Sequence, residues 1–333
     1  MSAPGRPSPA FRPPMTIREI TSDADLAALA AIVNDVTPDD PTSLEEMRWA
    51  DQTYPGTRRF LAEAGGRAVG MATVGRIYVF PPDHPDAWAN VVVVPDARRR
   101  GIGHALLLAA SAGASAAGKT GLHLRGSEGR PEGIAFLEHR GFVDIERARM
   151  VQLPLAGLAA PRLEVPAGIT LTSLAARPDL VAGVHAVAME TFVDIPGGDT
   201  PMAVGDLAEF RARDVDRPGI PPQAFMLALD AATDEVVGYA SLVFVPGSAT
   251  VAWHDMTAVR RAWRGRGLAT LLKRATIAWA IREGLTALVT GNDEDNAPMR
   301  AVNARLGYEA LPDEVFLRGP LVSERGPGVS APA

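Results

Sequence analysis

The 333-residue sequence contains no cysteine, which removes disulfides, thiolate metal sites and a cysteine nucleophile together. Histidine is scarce as well. The six in the chain show no paired ligand spacing, so no metal is expected and the chemistry is read as metal-free. No stretch approaches the roughly 20 consecutive apolar residues of a membrane helix, so no membrane partner is expected. Basic residues are not in excess: 33 Lys and Arg face 39 Asp and Glu, a net charge of −6. A nucleic-acid partner is therefore disfavoured, and an amine-bearing small molecule fits the balance better. What remains, 47% hydrophobic and 22% charged, is the composition of an ordinary globular protein. The length suits two domains.

What is present is a motif written twice. Arg98-Arg99-Arg100-Gly101-Ile102-Gly103 recurs 166 positions later as Arg264-Gly265-Arg266-Gly267-Leu268-Ala269, and Gly141-Phe142 recurs at the same offset as Gly307-Tyr308. Two landmarks at one offset imply two copies of one domain. Period-2 runs predict strands at Thr16–Ile20, Arg59–Glu63, Ala68–Val74, Ala87–Val94, Gly121–Leu124 and Phe142–Leu153. Helices are predicted from Asp23, over about 101–117 and over about 131–140, Asp23 being read as a cap. The second copy repeats the order: strand at Ile169, helix from Asp179, hairpin strands Ala224–Ala228 and Val236–Phe244, central strand Val251–Val259, helix from Leu268 to about Arg282, strand from Ala287.

The expected architecture is α/β (α+β), two tandem domains each with a mixed, mostly antiparallel sheet flanked by helices. The boundaries read as a disordered tail over 1–14, a first domain over 15–153, a Pro-rich linker over 154–166, a second domain over 167–322 and a disordered tail over 323–333.

A strand ending just before Arg98 or Arg264, followed by a helix beginning near Gly101 or Gly267, leaves unpaired backbone N–H groups pointing forward, reinforced by the helix dipole. Such a turn binds an anion. The glycines admit a diphosphate close to the backbone, and the arginines add charge. Neither copy is a Gly-x-Gly-x-x-Gly or a Gly-Lys-Ser/Thr loop. Val93-x-Pro95-x-x-Arg98-x-x-Gly101-Ile102-Gly103 resembles motif A of the GCN5-related N-acetyltransferase (GNAT) superfamily, and Val259 with Arg264 to Ala269 resembles it again, Arg261 standing where proline is usual. In the second half Thr290-x-Asn292-x-x-x-Asn296-x-x-Met299-x-x-x-Asn303 resembles motif B of that superfamily, while the first half has Arg130, Gly133 and Leu137 at the positions of Asn296, Met299 and Asn303.

The resemblance implies acetyl-CoA as acyl donor, held at Val93 and 98–103 in one half and at Val259, 264–269, Asn296 and Asn303 in the other. It implies direct attack of an amine on the acetyl carbonyl, polarised by the central strand's backbone. Many members carry a tyrosine general acid at the position of Leu137 and Asn303; neither half has it. An ammonium must first lose a proton, so a base is expected. On the second half's central strand either His254 or Asp255 can serve, but adjacent strand residues face opposite ways. Asp255 is favoured because strict alternation puts it on one face with Thr257 and Val259. The first half offers Trp88, Ala89 and Asn90 there, none of them a base.

The expectation is a cytoplasmic N-acetyltransferase, monomer or homodimer, active in its second half. Its acceptor is open between the cysteinyl amine of a pseudodisaccharide and an antibiotic amine, and the alternative is a non-catalytic acyl-CoA-binding protein. Glu190, Asp194, Asp199 and Asp206, like Asp39, Asp40, Glu45 and Glu46 in the first half, form acidic segments read mainly as solvated loops and secondarily as a lip for a cationic substrate.

Overall fold

The computed structural model describes residues 15–196, 200 and 202–324. The tail expected over 1–14, all but the first two residues of the tail expected over 323–333, and Asp199 lie outside the described residues. In chain order the first half runs β1 (Met15–Glu19), α1 (Asp23–Val36), α2 (Leu44–Thr53), β2 (Arg58–Ala64), β3 (Arg67–Arg76), β4 (Asp86–Val93), α3 (Ile102–Ala116), β5 (Gly121–Ser127), α4 (Pro131–Glu138) and β6 (Val143–Pro154). The second runs β7 (Ile169–Ser173), α5 (Val181–Thr191), α6 (Leu207–Phe210), β8 (Met226–Asp230), β9 (Val236–Phe244), β10 (Val251–Val259), α7 (Leu268–Arg282), β11 (Ala287–Asp293), α8 (Ala297–Arg305), β12 (Glu309–Ala310) and β13 (Glu314–Pro320). Residues 155–166 between them form neither helix nor strand.

Local chemistry sets most boundaries. The cap of α1 is Ser22, not Asp23: its side chain accepts from Asp25 N while Asp23 occupies the first turn, where its charge suits the dipole. The β2–β3 hairpin turns on Gly65 and Gly66, both at positive φ, as a two-residue loop requires. Helix α2 went unpredicted because its face is weakly apolar, with only Met47 buried.

One sheet joins the halves, in the order β1-β2-β3-β4-β5-β13-β6-β11-β10-β9-β8-β7, with β12 paired to β6. The last long strand of each half lies against the other half. β13 is antiparallel to β5 and β6 to β11, and the registers mirror each other: Glu314 faces Ser127 as Ala148 faces Asp293, and Pro320 faces Gly121 as Pro154 faces Ala287. In both halves the parallel pair at the centre is short. β4 and β5 stay paired only from Asp86 to Trp88, β10 and β11 only from Val251 to Trp253, so each pair splays toward its motif turn.

Helices cover both faces. In the second half Val184, Val187 and Tyr239 form a core under α5, while Leu242, Ala252 and Ile277 form another under α7. In the first, Leu106, Leu107 and Ala110 of α3 are fully buried, as their helical spacing requires.

Candidate active site

Both motif turns have the same backbone. A short 3-10 turn follows the strand, position 99 or 265 is left-handed, and a left-handed glycine caps the helix: Gly101 at φ 88° and Gly267 at φ 77°. A Cβ on either capping glycine would meet nothing, so dihedral strain, not crowding, selects glycine there. Arg99 accepts φ 62° where the second half has Gly265. The first amides of α3 and α7 therefore face open space at the mouth of each splayed strand pair.

The arginines that open the motifs do something other than meet an anion. Arg98 Nε donates to Val93 O and Arg264 Nε to Val259 O, both at 3.1 Å, pinning each turn to the end of its strand. Arg99 and Arg100 are exposed, and Arg266 lies over the Trp263 ring at 4.6 Å. The two turns then diverge. Arg98 bridges to Glu132 at the start of α4, at 2.8 Å, and the Phe136 ring of α4 sits 3.3 Å from where a Cβ on Gly103 would be, close to Val93. This ties the first turn to α4. Arg264 instead bridges to Asp194 beyond α5, together with Arg261, and among the described residues no ion pair joins the 264–269 turn to α8. The second turn is thus tied to the α5 side.

Strand β10 carries a bulge. His254 faces Leu242 but Thr257 faces Ala240, so Asp255 and Met256 fall outside the ladder with β9. A bulge frees backbone N–H and C=O groups and re-aims side chains. It also corrects the face assignment made on strict alternation. Met256 packs toward the α5 core, whereas Val259 packs with Leu268 and Leu271 under α7, so Asp255 and Val259 lie on opposite faces. In β4 the register with β3 runs from Gly70–Val93 to Arg76–Ala87 without a shift.

His254 points under α7 and is fully engaged. Tyr308 O–H donates to Nδ1 at 2.8 Å, and Nε2–H donates to Thr276 Oγ1 at 3.1 Å, whose own hydrogen goes to Lys273 O. Burial and the nearby Lys273 charge hold its pKa well below the ordinary value. It serves as a neutral structural residue. Sequence reading missed its neighbour Lys273, buried with Nζ 5.3 Å from the Tyr308 ring and pushed down to about 7 by desolvation.

Asp255 lies on the opposite face, with Oδ2 3.5 Å from Ser241 Oγ. Solvent reaches it, yet the surrounding protein is dense enough that desolvation raises its pKa, opposed by the charge of Arg217 and by bonds to Ser241 and the Met256 amide. Its accessible surface limits the size of that rise. The wall near it is a π-helical turn over Arg211–Val215, a rare geometry often found at functional sites. Asp214 on that turn also has a raised pKa through burial, with Asp255 adding to the rise. None of this wall was legible beforehand, since the segment has no clear period.

Asn296 acts as the cap of α8, its Oδ1 accepting from Met299 N at 3.3 Å. Asn303 is buried, donates to Asn292 Oδ1 at 2.5 Å and keeps its own Oδ1 unpartnered. Asn303 and Asn292 line a pocket of about 330 Å³ together with Arg300, Tyr308 and, from β6, Arg149; Asn296 is not part of its lining. The acidic segments are not free surfaces. Asp194 and Glu190 bind the second motif turn, Asp206 caps α6, Asp39 pairs with Arg130, Asp40 with Arg125 and Glu46 with Arg217. No group of three or more His, Asp or Glu side chains that could hold a metal occurs among the described residues, and no helix among them is long and apolar enough to cross a membrane.

The sequence pattern of the acetyltransferase (GNAT) family matches residues 26–142 and again 191–308. A mycothiol acetyltransferase of a Nocardioides species is 29% identical over 310 residues, spanning 88% of this chain and 96% of that protein. One from Nocardia farcinica is 29% identical over 295 residues, spanning 86% and 90%. Among solved structures, a tandem GNAT protein from the clavulanic acid biosynthesis pathway superposes with a TM-score of 0.73 at 23% identity, over 93% of this chain and all of that one. A GCN5-related N-acetyltransferase from Sphaerobacter thermophilus gives 0.70 at 18%, over 95% and 98%. The last two are likenesses of fold.

Proposed function

This chain belongs to the GNAT acetyltransferase family, and from that premise we propose that its second half transfers an acetyl group from acetyl-CoA to a primary amine of a small molecule, with Asp255 as the base. The observation that carries the reading is the bulge at Asp255 and Met256 of β10, the strand that leads into the turn capped by Gly267. The donor's diphosphate would meet the amides at the start of α7, and its thioester arm would follow the splay between β10 and β11. Backbone N–H groups released by the bulge are suited to the oxyanion of the tetrahedral intermediate. Asp255 takes the proton of the incoming ammonium, directly or through water; the amine nitrogen then bonds to the acetyl carbon, and the tetrahedral intermediate collapses with cleavage of the carbon–sulfur bond and loss of the second N–H proton to water. With Asn303 tied to Asn292 where a tyrosine acid is common, the departing thiolate takes its proton from water.

We propose as acceptor the cysteinyl amine of a mycothiol precursor, in the cytoplasm; the resemblance to relatives named mycothiol acetyltransferase supports this reading. The test is release of free thiol from acetyl-CoA with a panel of amines that includes cysteinyl-glucosaminyl-inositol and aminoglycosides. Faster release with the cysteinyl compound than with any other amine is expected. Tight acetyl-CoA binding without release stimulated by any amine refutes the catalytic reading.

A further inference from the structure

The pocket beside α8 lies apart from both the donor path and the acceptor side. None of the described residues that line it belongs to α7, to β10 or to the turn at 264–269; α8, β12 and β6 of the first half wall it, and Val151 and Tyr308 pack with the core under α7, on the face opposite Asp255. Its charges are matched except for one. Asp313 accepts from Arg149 and from the Met150 amide, Arg149 also meets Glu294, and Glu128 meets Arg147. The Arg300 guanidinium is exposed and has no hydrogen bond or ion pair among the described residues. Deeper in, Asn303 is 2% exposed, gives its amide to Asn292 and leaves Oδ1 buried without a partner. An unsatisfied buried polar atom costs about 1–3 kcal/mol, so an occupant of the pocket that completes it is favoured.

The first half shows the same place built without polar groups. At the 166 offset Ile134 stands for Arg300, Leu137 for Asn303 and Phe142 for Tyr308. Leu137, Phe142 and Leu317 are buried in one apolar cluster with Ile134 packed against it, and Ile134 reaches to 2.7 Å from where a Cβ on Gly126 would be. One copy of the fold fills this place with hydrocarbon. The other keeps a cation and an incomplete amide there, around a space of about 330 Å³.

We propose that this pocket binds a small hydroxylated carboxylic acid, with its carboxylate on Arg300 and a hydroxyl on Asn303. A hydroxyl both donates and accepts, so it completes the Asn303 amide in either orientation of that group. A carboxylate suits a single free guanidinium, whereas a phosphate dianion would be repelled more strongly by Asp313 and Glu128 in the same lining. Met150, Val151 and Leu311 supply apolar lining for the carbon chain, and the volume, at the lower end for ligand sites, selects a small molecule.

The experiment titrates the full chain by isothermal calorimetry with glycolate, glycerate, threonate and gluconate, with hexanoate and sorbitol as controls that lack the hydroxyls or the charge, each with and without saturating coenzyme A. At least one hydroxy acid is expected to bind saturably, more tightly than either control, and equally well with coenzyme A present. Arg300→Met should weaken that binding about 10-fold and Asn303→Leu, which installs the residue of the first half, about 5-fold. Arg300 is exposed, so its replacement leaves the fold intact and keeps the test decisive. Binding of none of the four acids, a control that binds as tightly as the best of them, or an affinity unmoved in Arg300→Met overturns the proposal. Displacement by coenzyme A overturns it too, because the pocket would then be part of the donor path.

Discussion

The turns at 98–103 and 264–269 have nearly the same backbone and opposite attachments. Arg98 reaches across to α4 through Glu132, with Phe136 filling the space behind it; Arg264 reaches the other way, to Asp194 beyond α5. The strands that lead into them differ too, since β10 is bulged beside Asp255 and β4 runs unbroken past Ala89. A duplicated motif therefore reports a duplicated backbone, and what that backbone can hold depends on side chains contributed by the neighbouring helices. A phosphate-ready turn is a different thing from a usable site.

The contrast can be broken most forcefully at the base. Asp255→Asn should lower kcat about 10²- to 10⁴-fold, the usual range for losing a general base, while Ala89→Asp should create no second activity because β4 lacks the bulge. Steady-state rates of the two variants, and of Asp255→Asn combined with Ala89→Asp, check this; rescue in the combined variant would show the halves to be interchangeable.

A smaller effect separates the cores. Lys273 occupies the position at which the first half has Leu107, and its folded-state pKa of about 7 lies below the ordinary 10.5. Between those values the unfolded chain keeps a proton that the folded protein has lost, so stability rises with pH across that window and the full penalty applies below it. Lys273→Leu should stabilise the protein by roughly 2 kcal/mol at pH 6.5 and by much less at pH 9.5. Urea unfolding at both values tests the difference, and an equal gain at both would show that the ammonium is not the source.

The smallest effect compares the caps. Gly267→Ala and Gly101→Ala each force a side chain to positive φ, at about 1 kcal/mol. Both should lower Tm slightly, but only Gly267→Ala should raise the KM for acetyl-CoA, by about 5-fold. An equal KM effect from Gly101→Ala would mean that the first groove is in use.

The repeat was legible because it needs nothing beyond spacing, and the hairpin at Gly65-Gly66 and the strand over Val251–Val259 were legible because their chemistry is local. The face of Asp255 was misjudged for a physical reason: a bulge adds an extra residue to one strand, and period-2 reasoning has no term for it. Asn296 as a cap could be read from its place before a helix. Lys273 looked like an ordinary helix residue, and Glu46 like a solvated carboxylate, since the sequence around Glu46 does not reveal a partner 171 positions away.

Alone, the sequence determined two copies of one α/β unit, the helix-capping glycines and the turn geometry, because these follow from dihedral preferences and apolar periods over a few residues. The tertiary structure alone decided that β6 and β13 change places, that Phe136 packs beside Gly103, and that α2 of the first half braces Arg217 of the second. Those outcomes depend on which side chains meet across long loops, and that is settled only when the whole sheet closes on its two layers of helices.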